Sequence, residues 1–138
     1  MITGTLRRIP LFAGLTEEQL EYVQQGNEIR LHPGEYVKRA GDPPDGFCIV
    51  IEGQLEWTSR DGQQDIYVIT LTDGEFWGHE LLLTDMPYPV SGRALNEARL
   101  YKLETDAFWL MLSGCPTILR RVVALLVVRW RSLTQASS

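Results

Sequence analysis

The sequence predicts a mainly β domain of antiparallel strands with α-helices at both ends. Short runs of alternating apolar and polar residues fill positions 27–104. Turn signals separate these runs roughly every 8–12 residues, the spacing of a β-sandwich, jelly roll or barrel. Before and after this region the apolar residues take helical spacing. With 44% hydrophobic and 22% charged residues, the 138-residue chain is expected to form one domain over 1–134 and a disordered tail at 135–138.

The N-terminal helical segment, residues 1–26, contains an amphipathic helix in the run FAGLTEEQLEYVQQG. Thr16 and Gln19 have the spacing of a capping box, and Gly26 is expected to end the helix. Leu20 and Val23 form its apolar side, opposite glutamates and glutamines.

Turn signals divide residues 27–104 into about eight strands. The clearest hairpin turn is Asp61-Gly62, between the runs QLEWTSR and QQDIYVIT. Cys48 lies in the apolar run FCIVI and is expected to be a small core residue. The other turn signals are Pro33-Gly34, Gly41-Asp42, Gly53 and Asp73-Gly74.

The C-terminal helical segment, residues 105–134, predicts two helices. Thr105 is the expected N-cap of the first helix, which ends at Gly114. Pro116 opens the second helix, which runs to about Leu133.

The second of these helices has two apolar rows, so it must bury more than one face. Ile118, Val122 and Leu125 form one row. The other row has the 4, 3, 4, 3 spacing of a coiled-coil seam, although it is shorter than the roughly three heptads that define one. Either one row packs on the β domain and the other meets a second subunit or a downstream domain, or both are buried within the monomer. The seam row consists of Leu119, Val123, Leu126, Trp130 and Leu133.

Charge and composition argue against several classes of protein. The net charge is −5 and is unevenly spread, since four arginines occur without an acid from residue 116 onward. An acidic body lacks the basic face that direct nucleic-acid binding needs. The longest apolar run, VVALLVV, is far below the roughly 20 residues of a membrane span, and no secretory signal is visible. Two cysteines without a disulfide or metal pattern predict a cytoplasmic location.

No pattern indicates an enzyme. Cupins share the jelly-roll plan, but their metal needs two or three histidines, including a His-x-His pair, with a carboxylate. The chain has only His32 and His79, and His32 next to Pro33 is most simply a turn residue. Cys115 has no obvious base. We expect a non-catalytic protein without a metal.

A series of turns and apolar residues in the first strands has a specific order. This series resembles the cyclic-nucleotide-binding domain family, and the run LFAGLTEEQL resembles the entry segment of that family. The resemblance extends from about residue 6 to 134. It implies a jelly roll, or double-stranded β-helix, that binds its ligand between the strands. The series consists of Gly34-Glu35, Gly41-Asp42, Phe47 with Ile49 and Ile51, and Gly53.

The resemblance also implies that residues 76–95 form the phosphate-binding cassette. In the family, a glycine allows close approach of the backbone and a short helix directs its amides at the anion. A glutamate accepts from the ribose hydroxyl, an arginine binds the cyclic phosphate, and the next backbone N–H donates to it. Gly78 matches the glycine, and the short helix falls on Leu81, Leu82 and Leu83.

Three cassette positions depart from the family. His79 falls on the glutamate, Tyr88 on the arginine, and Pro89 on the donor residue, which therefore has no N–H. Glu80 could take the ribose role, but Arg93 is expected to face the opposite side of its strand. The predicted ligand-binding residues of this degenerate cassette are Gly78, His79, Glu80, Leu81, Tyr88, Pro89 and Val90.

The loss of the arginine predicts weak binding or none of cyclic AMP and cyclic GMP. A buried anion without its charged partner costs about 2–5 kcal/mol, and the missing amide adds about 0.5–1.5 kcal/mol. Micromolar affinity would then fall toward millimolar.

The leading hypothesis is a regulatory or sensor module without a cofactor, part of a larger bacterial signalling protein, with its output domain attached or on a separate chain. Two alternatives remain open. The pocket could hold a different small molecule, lined by Trp77, His79, Glu80 and Tyr88. The domain could instead act as a homodimerisation module through its C-terminal helix.

Overall fold

The structure is a computed structural model that describes residues 2–61, 64–78 and 87–136. Within these residues, helices flank a β domain, as the sequence predicts. The helices are α1 (Ile2–Arg7), α2 (Glu17–Val23), α3 (Thr105–Gly114) and α4 (Pro116–Ala136), with a 3-10 turn at Pro10–Phe12. The strands are β1 (Asn27–Leu31), β2 (Tyr36–Lys38), β3 (Gly46–Glu52), β4 (Leu55–Asp61), β5 (Gln64–Leu71), β6 (Phe76–Trp77), β7 (Ser91–Ala94) and β8 (Ala98–Glu104).

The described strands form two antiparallel four-stranded sheets. One sheet has the order β1-β8-β3-β6 and the other the order β2-β7-β4-β5. The chain crosses repeatedly from one sheet to the other, so the predicted jelly roll is confirmed. In the expected hairpin, Asp61 is paired with Gln64, and Gly62 lies outside the described residues.

Two apolar clusters lie on opposite faces of the first sheet, because successive side chains of a strand alternate. On β3, Phe47 and Ile49 face the helical core, which the sheet forms with the N- and C-terminal helices. Cys48 and Val50 face the barrel core, which lies between the two sheets. All four side chains are buried, which explains the continuous apolar run and confirms Cys48 as a core residue.

The N-terminal helix α2 confirms the predicted capping box. The Thr16 hydroxyl accepts from the Gln19 amide at 3.1 Å, and the Gln19 side chain accepts from the Thr16 amide at 2.9 Å. Leu20 and Val23 are buried in the helical core, as expected. Gly26 was wrongly assigned as the helix stop: α2 ends at Val23, and a Cβ on Gly26 would lie 2.5 Å from the Lys102 carbonyl oxygen. Close packing therefore requires this glycine.

The first C-terminal helix, α3, has its N-cap one residue before the predicted one. Glu104, not Thr105, is the N-cap of α3, and its side chain makes no capping hydrogen bond. Glu104 retains the extended backbone of β8, so the turn into the helix starts there. The predicted end of α3 at Gly114 and the start of α4 at Pro116 are confirmed. Helix α4 continues to Ala136, two residues into the segment expected to be a disordered tail.

One face of α4 packs on the domain, and a neighbouring face is exposed. Ile118 and Val122 are buried in the helical core. Leu119 and Val123 of the predicted seam are 41% and 49% exposed. Leu125, in the same predicted row as Ile118 and Val122, is 38% exposed, and Leu126 of the predicted seam packs partly against the helical core. The side chains of Trp130 and Leu133 lie outside the described ones.

Among the described residues, no single helix is long and apolar enough to cross a membrane. Helix α3 and the part of α4 up to Val128 have the length and apolar character of a span only when they are taken together, and the pair is bent by 106°.

Candidate functional site

The candidate site is the part of the barrel core where β6 leads out of the first sheet. Trp77, at the end of β6, is paired with Cys48 of β3, and Gly78 follows it. The chain is described again from Pro87 onward. The predicted residues His79, Glu80 and Leu81 lie outside the described residues, as do Leu82 and Leu83.

Gly78 has a backbone conformation and a position that require glycine. Its φ is 99°, in the left-handed region, and an added Cβ would lie 2.5 Å from the carbonyl oxygen of Gly46. The sequence predicts a glycine that lets the backbone approach a ligand. The close approach that the structure describes is to the backbone of β3, so Gly78 fixes where the chain leaves the sheet.

Tyr88 lies inside the barrel core and is only 3% exposed. Its ring is stacked on the indole of Trp57, with centroids 6.0 Å apart and planes at 9°. Its backbone is tied to a turn: Tyr88 N–H donates to the Asp42 carbonyl at 2.8 Å, and its carbonyl accepts from Gly41 N–H at 2.7 Å. The residue at the predicted arginine position therefore packs into the interior.

The aromatic side chains of the site occupy the space that a ligand ring would need. Trp57 also contacts Trp77 edge-on, with centroids 5.4 Å apart. A ring inserted between two stacked rings needs about 7 Å between their planes, since each contact takes about 3.5 Å. The 6.0 Å between the rings of Tyr88 and Trp57 leaves no such gap.

The residues after Tyr88 confirm one expectation and leave others untested. Pro89 is exposed and has no N–H, and Val90 is half-buried against the barrel core. Arg93 points away from that core, as expected: its guanidinium lies 3.3 Å from Glu56 and its side chain is 46% exposed. It offers no charge to the interior.

Sequence reasoning missed a group of charges beside Tyr88. The Nζ of Lys38 lies 2.6 Å from Oδ1 of Asp45 and 5.6 Å from the centroid of the Tyr88 ring. The Nζ of Lys102 donates to Oδ2 of the same carboxylate at 2.9 Å. The lysine side chains are only 13% and 17% exposed. The sequence holds one hint, since these are the only two lysines of the chain.

This group shifts the pKa values of its members in opposite directions. Partial burial would raise the pKa of Asp45, but hydrogen bonds from Lys38 and Lys102 outweigh it and lower the pKa. Partial burial would lower the pKa of Lys102, but its bond to Asp45 raises it. Asp45 and Lys102 are therefore charged at neutral pH.

Two buried donors of the site have no acceptor. The Nε1 atoms of Trp57 and Trp77 have no hydrogen-bond partner among the described residues. A buried donor left without a partner costs about 1–3 kcal/mol. The described residues therefore leave these two indole N–H groups unsatisfied.

The other candidate reactive groups are isolated. Burial raises the pKa of the Cys48 thiol to about 12, so no thiolate forms at neutral pH. His32 is exposed, and its Nδ1 lies 3.0 Å from the Glu97 carboxylate, which raises the pKa of the imidazole. Within the described ranges, no group of His, Cys, Asp or Glu side chains could hold a metal ion.

The two sheets, the flanking helices and the glycine exit from β6 form the architecture that the glycine series predicts. The chain belongs to the cyclic nucleotide-binding domain family, which it matches over residues 28–114. This confirms the resemblance predicted from the glycine series.

Comparison with individual proteins supports the same assignment. The chain is 29% identical over 122 residues to the cAMP-dependent protein kinase regulatory subunit of Emericella nidulans, covering 88% of this chain and 29% of that protein. The chain thus spans about a third or less of the length of the curated relatives it matches.

Solved structures have the same fold. The catabolite activator protein of Thermus thermophilus aligns with a TM-score of 0.83 at 22% identity, covering 92% of this chain and 61% of that one. The N-terminal domain of a transcriptional regulator from Streptomyces coelicolor A3(2) aligns with a TM-score of 0.73 at 26% identity, covering 96% of both chains.

Proposed function

We propose that the chain is a non-catalytic regulatory domain that binds cyclic AMP and cyclic GMP weakly or not at all. The observation that carries this proposal is the position of Tyr88, which is buried and stacked on Trp57. The family resemblance assigns Tyr88 to the position of the phosphate-binding arginine. A cyclic nucleotide would have to displace this stacked pair to enter the barrel core.

The chemistry of the cassette supports the same conclusion. Tyr88 brings no positive charge, Pro89 has no N–H, and Arg93 is paired with Glu56 outside the core. The loss of its charged partner costs an anion about 2–5 kcal/mol of binding free energy. The loss of one amide donor costs about 0.5–1.5 kcal/mol more. These losses correspond to a fall from micromolar to roughly millimolar affinity.

We further propose that the domain regulates an output region, attached or on a separate chain, in a larger bacterial signalling protein. Its match to only part of the much longer regulatory subunits supports this role. The acidic body argues against direct binding of nucleic acid by the domain itself. Two buried, free cysteines are consistent with a reducing, cytoplasmic location.

Isothermal titration calorimetry with cyclic AMP and cyclic GMP tests the proposal. We expect no saturable heat at micromolar nucleotide concentrations. Adenosine, which has no phosphate, is the matched control ligand: equally weak signals from adenosine and cyclic AMP would mean that the phosphate contributes no affinity. Low-micromolar binding of either cyclic nucleotide would overturn the proposal.

A second candidate function, homodimerisation through α4, is favoured by the exposed apolar face of that helix. Leu119, Val123 and Val127 follow at intervals of four residues and each is at least 41% exposed. Such a stripe is self-complementary when two copies of the helix pack across a two-fold axis. A homodimer would then bury the apolar face of α4 that is exposed to water in the monomer.

A further inference from the structure

The register of the two sheets places both lysines on the inner side of the barrel. In the second sheet, Lys38 of β2 is opposite Gly92 of β7, which is opposite Trp57 of β4. Residues directly opposite each other in antiparallel strands point to the same face. The register of β2 shifts between Tyr36 and Lys38, but the Nζ of Lys38 lies 5.6 Å from the centroid of the Tyr88 ring, which is stacked on Trp57. Lys38 and Trp57 therefore lie on the same inner side of the second sheet.

The first sheet repeats this arrangement from the other side. Lys102 of β8 is opposite Cys48 of β3, which is opposite Trp77 of β6. Cys48 and Trp77 belong to the barrel core, so Lys102 also faces inward. Each sheet thus contributes one row that holds a lysine and a tryptophan.

The two rows meet at Asp45, which precedes β3 and binds both ammonium groups. Asp45 carries one negative charge against two positive ones. Glu104 is the other acid in this group, and it lies 3.9 Å from Lys102 with a side chain that is 63% exposed. Two ammonium groups therefore share one carboxylate between the rows, and among the described residues only Lys102 has a second acid nearby.

Both rows also contain hydrogen-bond donors. Each ammonium group has three N–H donors. For Lys38, Asp45 is the one carboxylate partner among the described residues. The indole N–H groups of Trp57 and Trp77, both more than nine-tenths buried, have no partner in the part of the chain that the structure describes. A ligand that suits this interior must supply acceptors and negative charge.

We propose that the lysine–tryptophan rows bind a compact oxyanion of the phosphate-monoester class. The ammonium groups of Lys38 and Lys102 neutralise the phosphate, and the indole N–H groups are available to its oxygens. Asp45 holds the two lysines together when no ligand is bound. The ligand must be small because the rings of Tyr88 and Trp57 fill the neighbouring space. This proposal rests on the proposed function only for the regulatory role of the site.

The two lysines of the chain make a direct test available. Protein labelled with ¹⁵N-lysine gives two ¹⁵Nζ signals, which are followed by NMR through their ε protons as inorganic phosphate is added at constant ionic strength. We expect both signals, and the indole signals of Trp57 and Trp77, to shift along one saturable curve. Shifts that chloride reproduces at the same ionic strength would overturn the proposal.

Three variants sharpen the test. Lys38→Met is expected to weaken phosphate binding about 10- to 100-fold, because one charge-assisted contact is lost. Arg93→Met is the matched control: it removes an arginine outside the barrel and should leave binding unchanged. Asp45→Asn removes the competing carboxylate and should tighten phosphate binding. Wild-type affinity in Lys38→Met, or weaker binding in Asp45→Asn, would overturn the proposal.

The controls for folding and for ligand class use the same samples. Lys38→Met leaves the Lys102–Asp45 pair in place, and its amide spectrum shows whether it folds as the wild type does. Acetate binding as tight as phosphate would contradict the assignment to a phosphate. A separate titration with cyclic AMP keeps the two proposals apart: tight cyclic AMP binding would overturn the proposed function, whereas a lack of phosphate binding would overturn only this inference.

Discussion

The phenol ring of Tyr88 lies parallel to the indole of Trp57, with ring centroids 6.0 Å apart and an angle of 9° between the planes. Trp57 is on β4, and Tyr88 follows Pro87 in the chain and is tied by two backbone hydrogen bonds to the Gly41-Asp42 turn. The stack therefore links the second sheet to the turn between β2 and β3. It fills part of the barrel core with aromatic rings.

The first prediction concerns the stability that this stack provides. Tyr88→Ala should lower the free energy of unfolding by about 3–5 kcal/mol, the range for removing a buried aromatic ring. Urea denaturation measures the change. Tyr36→Ala is the control, because Tyr36 is 39% exposed, and it should cost about 0.5 kcal/mol or less. Equal losses in the two variants would contradict the packed position of Tyr88.

The second prediction separates backbone strain from close packing at Gly78. Gly41 and Gly78 have nearly the same φ, 96° and 99°, but a Cβ at Gly41 would meet open space. Gly41→Ala should cost only the strain of a left-handed alanine, about 1–3 kcal/mol. Gly78→Ala should cost about 1–3 kcal/mol more, because its methyl group would press on the Gly46 carbonyl. Thermal or urea unfolding of both variants measures the difference.

The third prediction concerns the pH dependence of stability near Asp45. The two lysines hold the pKa of Asp45 below its ordinary value of 3.8. The folded state thus binds its proton less readily than the unfolded state, so this contribution to stability is present above about pH 4 and is lost as the pH falls through the lowered pKa. Unfolding measured between neutral and acid pH should show a smaller loss for Asp45→Asn than for the wild type. Identical pH profiles would contradict the ion pairs.

The fourth prediction tests the exposed face of α4. Val123→Asp should shift the protein to a slower-sedimenting species without loss of stability, because Val123 is 49% exposed in the monomer. Val122→Asp is the contrasting variant: Val122 is 1% exposed, so the change should unfold the domain. Sedimentation velocity and circular dichroism distinguish these effects. A Val123→Asp variant that sediments as the wild type does would contradict the dimer.

The order of the elements was predictable because it depends on local signals. The capping box of α2 involves two residues three positions apart. The continuous apolar run FCIVI indicates a strand that is buried on both faces. The face that α4 turns to the core was only partly predictable. Leu126 of the predicted seam packs partly on the helical core and Leu125 is exposed, which the spacing of apolar residues along the helix does not decide.

The site was less predictable than the fold, because its contacts join distant parts of the chain. Lys102 and Asp45 are 57 positions apart, and neither belongs to a short motif. The sequence indicates that Tyr88 stands at the arginine position of the cassette. The contacts that bring both lysines to Asp45 depend on the folding of distant strands. The roles of His79, Glu80 and Leu81 remain predictions from the family resemblance.

Calorimetric titration of cyclic AMP into the paired variant Tyr88→Arg with Pro89→Ala, beside the wild type, tests the central claim most directly. The variant removes the stacked ring and restores both a guanidinium and a backbone N–H at the positions where the family has them. The account predicts little or no binding by the wild type and a gain of at least about 30-fold in affinity by the variant. Tight binding by the wild type, or a folded variant that gains nothing, would contradict it.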